Sequence, residues 1–194
     1  MARQIAGMIG GGVSALSATA ALAFSVALSP GAGLVVPATT AASEPTLDGV
    51  VVHDDMVPFS ITTPSGAVLC EGQLQDRVVQ SNKTGRFDFY YAIRDTKGPG
   101  AINRLVTTSF AGQPIRVAFR TDGLGTVPPN FANRSAAPGA MVQVRFTNPP
   151  VSCAQHQESR FVLIRTDVKA FNPGGKTQLF STTGAGTTVP SVMP

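Results

Sequence analysis

Tryptophan is absent from this 194-residue chain, and tyrosine, histidine and cysteine occur twice each. Charged residues make up 13% of it, about half the share of an average soluble protein. So little charge excludes disorder driven by charge repulsion. Three glutamates, eight aspartates and two histidines leave little material for an acid–base active site. No Gly-x-x-x-x-Gly-Lys-Ser/Thr loop occurs, nor a dinucleotide fingerprint at a strand–helix junction, a Gly-x-Ser-x-Gly elbow or a Ser-x-x-Lys motif, so phosphate cradling and the familiar serine nucleophiles have no sequence support. After position 45 no stretch of a dozen residues carries an apolar stripe at helical spacing, which excludes the strand–helix alternation of a parallel α/β fold.

Acidic residues are missing altogether before Glu44, and Arg3 is the sole basic residue in that stretch. A single positive charge followed by an apolar run at residues 13–24 has the form of a secretory leader. Ser25-Val26-Ala27 and Thr40-Ala41-Ala42 offer small-x-small cleavage sites. The expected organisation is a signal peptide with an Ala/Thr/Pro-rich spacer over 1–42, one domain over 46–183 and a flexible tail over 184–194. The expected location is secreted or cell-surface. Membrane association follows only if the N-terminal segment is retained as an anchor, because no second apolar stretch approaches spanning length.

Cys70 and Cys153 both lie in the exported part. An even pair in an oxidising compartment predicts a disulfide. The alternative is a zinc site built from Cys70, Cys153, His53 and His156, but neither cysteine has the closely spaced partner that structural zinc sites show. No cofactor is expected.

Glycine (20) and proline (15) punctuate the remainder. Between the turns they mark, residues alternate with period two. In 86–94, Phe87, Phe89, Tyr91 and Ile93 alternate with Asp88, Tyr90, Ala92 and Arg94; residues 115–120 and 142–146 repeat the pattern. Weaker strands are expected at 50–52, 57–62, 67–70, 74–80, 102–110, 161–166 and 177–182. About nine or ten short strands joined by tight turns predict an all-β antiparallel sandwich of jelly-roll or immunoglobulin-like architecture, with a barrel as the alternative. Residues 122–140 read as one long irregular loop, the kind that in compact domains is functional or mobile.

Arginine outnumbers lysine 11 to 4. Arg86, Arg94, Arg116, Arg120 and Arg145 fall on the phase expected to face water, with Tyr90 among them. If their strands are neighbours, they form a basic face for an anionic glycan or envelope polymer, with Arg116, Arg120 and Arg145 as the binding candidates. The same arginines also fit a merely solvated strand face. Without Arg3, 14 basic and 11 acidic residues leave a net charge of +3, too little to expect nucleic acid as a partner. The oligomeric state is not readable. The other functional class is a secreted hydrolase of envelope glycans, with Glu71, Glu158 and His156 gathered beside the disulfide. Calcium ligation by Asp54 and Asp55, or by Asp122, lacks the Asp-x-Asp-x-Asp-Gly loop. Asn82-Lys83-Thr84 and Asn133-Arg134-Ser135 match the N-glycosylation pattern, which matters only in a eukaryotic source; the Ala-rich leader and arginine bias look bacterial.

Gly72-Gln73-Leu74-Gln75-Asp76-Arg77-Val78-Val79, Phe87-Asp88-Phe89-Tyr90-Tyr91, Ala101-Ile102-Asn103-Arg104-Leu105, Ser109-Phe110-Ala111-Gly112 and Arg120-Thr121-Asp122-Gly123-Leu124-Gly125, followed by Asn133-Arg134-Ser135, resemble uncharacterised exported bacterial β-sandwich proteins. Many of these carry a PEP-CTERM sorting tail, which this chain lacks. The resemblance covers about half of the exported part and implies an exported, non-catalytic module without catalytic residues to carry over.

Overall fold

The computed structural model describes residues 24–194; the expected leader core, apart from Phe24, lies outside them. Fourteen strands run in chain order: β1 (Val26–Ala27), β2 (Gly33–Val35), β3 (Ala38–Thr39), β4 (Gly49–Thr62), β5 (Val68–Ser81), β6 (Phe87–Lys97), β7 (Ala101–Thr107), β8 (Arg116–Arg120), β9 (Phe131–Arg134), β10 (Val142–Arg145), β11 (Val151–Ser152), β12 (Val162–Arg165), β13 (Asn172–Ser181) and β14 (Gly186–Met193). Sheet A has the order β1-β8-β12-β6-β5-β4, and sheet B the order β14-β13-β7-β10-β9-β2. All pairings are antiparallel except β3, which joins β8 in parallel. The fold is thus all-β with two sheets and no barrel closure.

The apolar phase of each strand meets the other sheet. Leu74, Val78, Phe89, Tyr91, Ile93, Val117, Val162 and Ile164 from sheet A pack with Ile102, Leu105, Val142, Val144, Leu179 and Val189 from sheet B in one core. At about 2 kcal/mol for each large side chain buried, this layer is the main source of stability. Cys70 on β5 and Cys153 just after β11 are fully buried and form the expected disulfide, with Cα atoms 5.7 Å apart across 83 residues.

Several local expectations needed tertiary correction. Strands expected at 50–52 and 57–62 are one strand, β4, and those at 67–70 and 74–80 are one strand, β5. The polar dip His53-Asp54-Asp55 continues the ladder because β4 is an edge strand with an exposed face, where Pro58 is also tolerated. The stretch 122–140 contains β9, whose Arg134 is buried and donates to the carbonyls of Gly139, Leu28, Phe110 and Gln113 at 2.6 to 3.2 Å.

Both ends of the expected domain are also folded. The segment read as a flexible spacer supplies β3, with Thr39 buried, and is followed by the short 3-10 turn Pro45–Leu47, with Glu44 and Leu47 buried. Residues 184–194, read as a tail, supply β14, with Val189 and Val192 buried. Val192 is held at both backbone groups: its N–H donates to Asp76 Oδ2 at 2.6 Å, and its carbonyl accepts from the Tyr91 hydroxyl at 3.1 Å. Both segments are Thr-, Ser-, Ala- and Pro-rich, so their strand character comes from the sheet edge that they complete and not from periodicity.

β6 departs furthest from expectation. Its supposed wet phase, Asp88, Tyr90, Ala92 and Arg94, is buried. Leu47 and Phe161 cover it, and with Val79, Tyr90, Ala92, Ala118 and Leu163 they form a second, smaller core on the outside of sheet A.

Candidate functional site

The outer faces of the two sheets treat charge in opposite ways. Every ion pair among the described residues lies on or beside sheet A. Arg94 bonds Glu158 at 3.2 Å, Arg77 bonds Asp54 at 2.6 Å, Lys97 bonds Glu71 at 3.0 Å and Arg120 bonds Asp122 at 2.7 Å. Arg86 is paired with Asp167, and Arg165 with both Glu44 and Asp88. Arg94 and Arg77 also stack on Phe161, their guanidinium carbons 4.7 and 5.0 Å from its ring centre.

Carboxylate behaviour on this side follows its partners. Burial works against the charge of Glu44, but the backbone N–H and hydroxyl of Ser25, together with Arg165, outweigh it and hold its pKa below the ordinary value. The Arg120 bond does the same for Asp122. Asp88 goes the other way: burial raises it to about 6 despite Arg165, because it is nearly sealed off and shares that arginine with Glu44. Asp76 is raised to about 7, by burial first and Asp55 last, against the Val192 N–H.

Sheet B contains no acidic residue in any of its strands. Its outer face carries two ordered rows. Phe180 on β13 pairs with Arg104 on β7, Arg104 with Arg145 on β10, and Arg145 with Phe131 on β9. Two residues along, Gln178, Val106, Gln143 and Asn133 form the second row in the same strand order. Two arginines directly opposite each other repel across the ladder, and no carboxylate relieves them. The Arg104 guanidinium lies 3.9 Å from the Phe180 ring centre, and its Nε is buried without a hydrogen-bond partner. Arg145 sits 5.9 Å over Phe131, and the Gln143 amide, with its oxygen toward Arg145, accepts from Nε and Nη2 at 2.8 and 3.1 Å.

Two glycines make room for the flanking rings. A Cβ on Gly186 would come within 2.7 Å of Phe180, and one on Gly33 within 2.7 Å of Phe131. The rings therefore lean over the bare outer strands β14 and β2. Shallow basins of about 240 and 310 Å³ lie on this face, and Arg104 lines both.

Of the three arginines expected to form one face, Arg116 and Arg120 lie on β8 in sheet A, whereas Arg145 lies on β10 in sheet B. The structure does not bring them together. Arg116 holds the Ser25 hydroxyl at 3.1 Å and its carbonyl, and Arg120 is bidentate on Asp122. Arg145 instead acquires Arg104, which the sequence reading missed. Period two groups Arg104 with Ile102 and Val106, hiding its outward phase; an irregularity in the β13–β7 ladder turns Ile102 into the core. The readable signal was the absence of any acid in residues 123–157 and 168–194.

The hydrolase candidates are occupied. Glu71 is paired with Lys97, Glu158 accepts from Arg94 and from the Asp95 N–H, and the His156 ring lies 2.8 Å from the Thr96 carbonyl. None of the three lines one of the five main cavities. A 490 Å³ cleft on sheet A does hold two carboxylates, Glu44 and Asp167, but each is ion-paired. The cysteines are oxidised, so they are not thiolate ligands, and no cluster of three or more His, Cys, Asp or Glu occurs among the described residues.

No protein-family model, curated protein or solved structure matches the chain at a significant level.

Proposed function

We propose that this protein is an exported, non-catalytic β-sandwich module of the cell surface, envelope or extracellular matrix that binds anionic glycans or envelope polymers. The observation that carries this reading is the charge asymmetry: sheet A pairs each of its strand cations except Arg116 with a carboxylate of its own, while sheet B presents Arg104 and Arg145 side by side without an acid. An anion from outside would supply what the fold withholds. The disulfide favours an oxidising compartment, and no helix of the described residues is long and apolar enough to cross a membrane. Retention on heparin and polyuronate supports tests the reading across a salt series. Retention that weakens steadily as salt shortens the Debye length, about 10 Å at 0.1 M, is expected. No retention at low salt, or retention indifferent to salt, would rule out the polyanion reading.

A further inference from the structure

We infer that the Phe180, Arg104, Arg145, Phe131 row is the seat of one acidic unit of a saccharide chain, a sugar ring bearing a carboxylate or sulfate; this rests on the anionic-polymer reading above. Three observations narrow the class of ligand.

The first is preorganisation. Both guanidiniums are held by aromatic rings, Arg104 on Phe180 at 3.9 Å and Arg145 on Phe131 at 5.9 Å, and the rings are positioned by Gly186 and Gly33. A guanidinium already fixed in one plane loses less rotamer freedom when it closes a forked pair of bonds on an oxyanion.

The second is the chemistry beside the charge. Gln178, Gln143 and Asn133 occupy the next row, two residues along each strand. Amides offer donors and an acceptor each, which suits ring hydroxyls, whereas a bare inorganic anion could use the donors alone. Phe180 to Phe131 covers three strand spacings, roughly 14 Å, so the face takes an extended chain and not a single small ion.

The third is the sparseness of charge. Besides Arg104 and Arg145, the strands of sheet B hold Arg134, which is buried on backbone carbonyls, and Lys176 on a separate stretch of β13. Two adjacent cations match one oxyanion per site. They do not match a nucleic-acid backbone, whose recognition needs many phosphate contacts.

The test is calorimetry on the full exported chain with three ligands of matched length: an oligouronate, a heparin-type sulfated oligosaccharide and a neutral glucan. Binding of at least one acidic oligosaccharide and none of the neutral glucan is expected, and the stronger of the two acidic ligands identifies carboxylate or sulfate as the anion. Arg104→Gln and Arg145→Gln should each weaken binding by about 10- to 100-fold, the effect of losing a charge-assisted hydrogen bond. Arg104→Lys, which keeps the charge but not the fork, should weaken it by about 10-fold. Lys176→Gln should change it by less than about 3-fold, as a general loss of one screened charge. Unchanged melting temperatures separate these effects from misfolding. Acidic glycans that bind equally well to Arg104→Gln and Arg145→Gln would overturn the seat and leave the anionic-polymer reading standing. Failure of every acidic glycan would remove both. Competition by free sulfate or phosphate at the same concentration as the oligosaccharide would overturn the saccharide assignment.

Discussion

Arg94 and Arg104 are both sheet arginines stacked on phenylalanine, yet they do different work. Arg94 is almost fully buried, 4.7 Å over Phe161, with Gln75, Glu158 and the Ser159 carbonyl as acceptors. Arg104 has a closer ring, 3.9 Å away, and no acid. The first kind of arginine is structural: once buried, it must be satisfied or the fold loses several kcal/mol. The second is partly exposed and has no carboxylate, so what the fold would lose in a glutamine is its stack on Phe180 and not an ion pair. A cation that is ordered but unneutralised is the better mark of a binding face than a cation that is merely on a strand.

The largest expected effect comes from removing the N-terminal edge strands, β1 and β3 of sheet A and β2 of sheet B. Deleting residues 1–42 takes away β1, β2 and β3 with the buried Leu28 and Val36, worth about 4 kcal/mol by burial alone, and strips Ser25 from Glu44. Urea unfolding of this form against one starting at Phe24 should show the loss. For the same reason, N-terminal sequencing of exported protein should find an end at or before Phe24, not at either small-x-small site; an abundant, folded form beginning at residue 43 would contradict the role assigned to this segment.

Opening the disulfide comes next. Cys70→Ser with Cys153→Ser removes the constraint on an 83-residue loop and should cost about 4 kcal/mol in the chain-entropy account, measured by denaturation with and without reductant. Glu44→Ala leaves the Arg165 guanidinium of sheet A without one of its two carboxylates and should cost about 3 kcal/mol. Arg104→Gln on sheet B should change stability by less than about 1 kcal/mol, the scale of its stack on Phe180. Equal losses from Glu44→Ala and Arg104→Gln would dissolve the distinction between the two faces.

A further expected effect is a pH slope. Asp76 has a folded pKa near 7, above its ordinary 3.8, so the folded state holds its proton more tightly than the unfolded chain. Its contribution to stability is complete below about 3.8 and is lost as pH rises through about 7. Asp88, raised to about 6, acts in the same direction. Glu44, Asp54 and Asp122 are lowered and act oppositely, their contributions fading only as pH falls below the ordinary carboxylate range. Melting temperature should therefore fall between pH 5 and pH 8, and Asp76→Asn, which keeps an acceptor for the Val192 N–H, should flatten that fall. An identical slope in Asp76→Asn would show that the buried carboxyl is not its source.

Much of this architecture is legible along the chain because a half-buried strand writes its own pattern. β8 and β10 alternate, and turns rich in Gly and Pro separate the runs. The cysteine pair is legible for a different reason: a chain with two cysteines offers one partner for each. β14 and β3 were not legible, since Thr, Ser and Pro take their strand geometry from the edge they complete. The wet phase of β6 was misread because period two reports that two faces differ, not what lies over each of them. Arg145 was found and Arg104 missed because the irregularity beside Ile102 depends on the β13–β7 ladder.

By itself, then, the sequence determined the class of fold, the covalent link and the scarcity of acid in the chain's second half, all of which are properties of composition or of neighbours a few residues apart. Tertiary structure alone decided which arginines are neutralised, since pairing strands from distant parts of the chain brought Glu44 to Arg165 on one sheet and left Arg104 opposite Arg145 on the other. Electrostatic energy falls with distance in space and not along the chain.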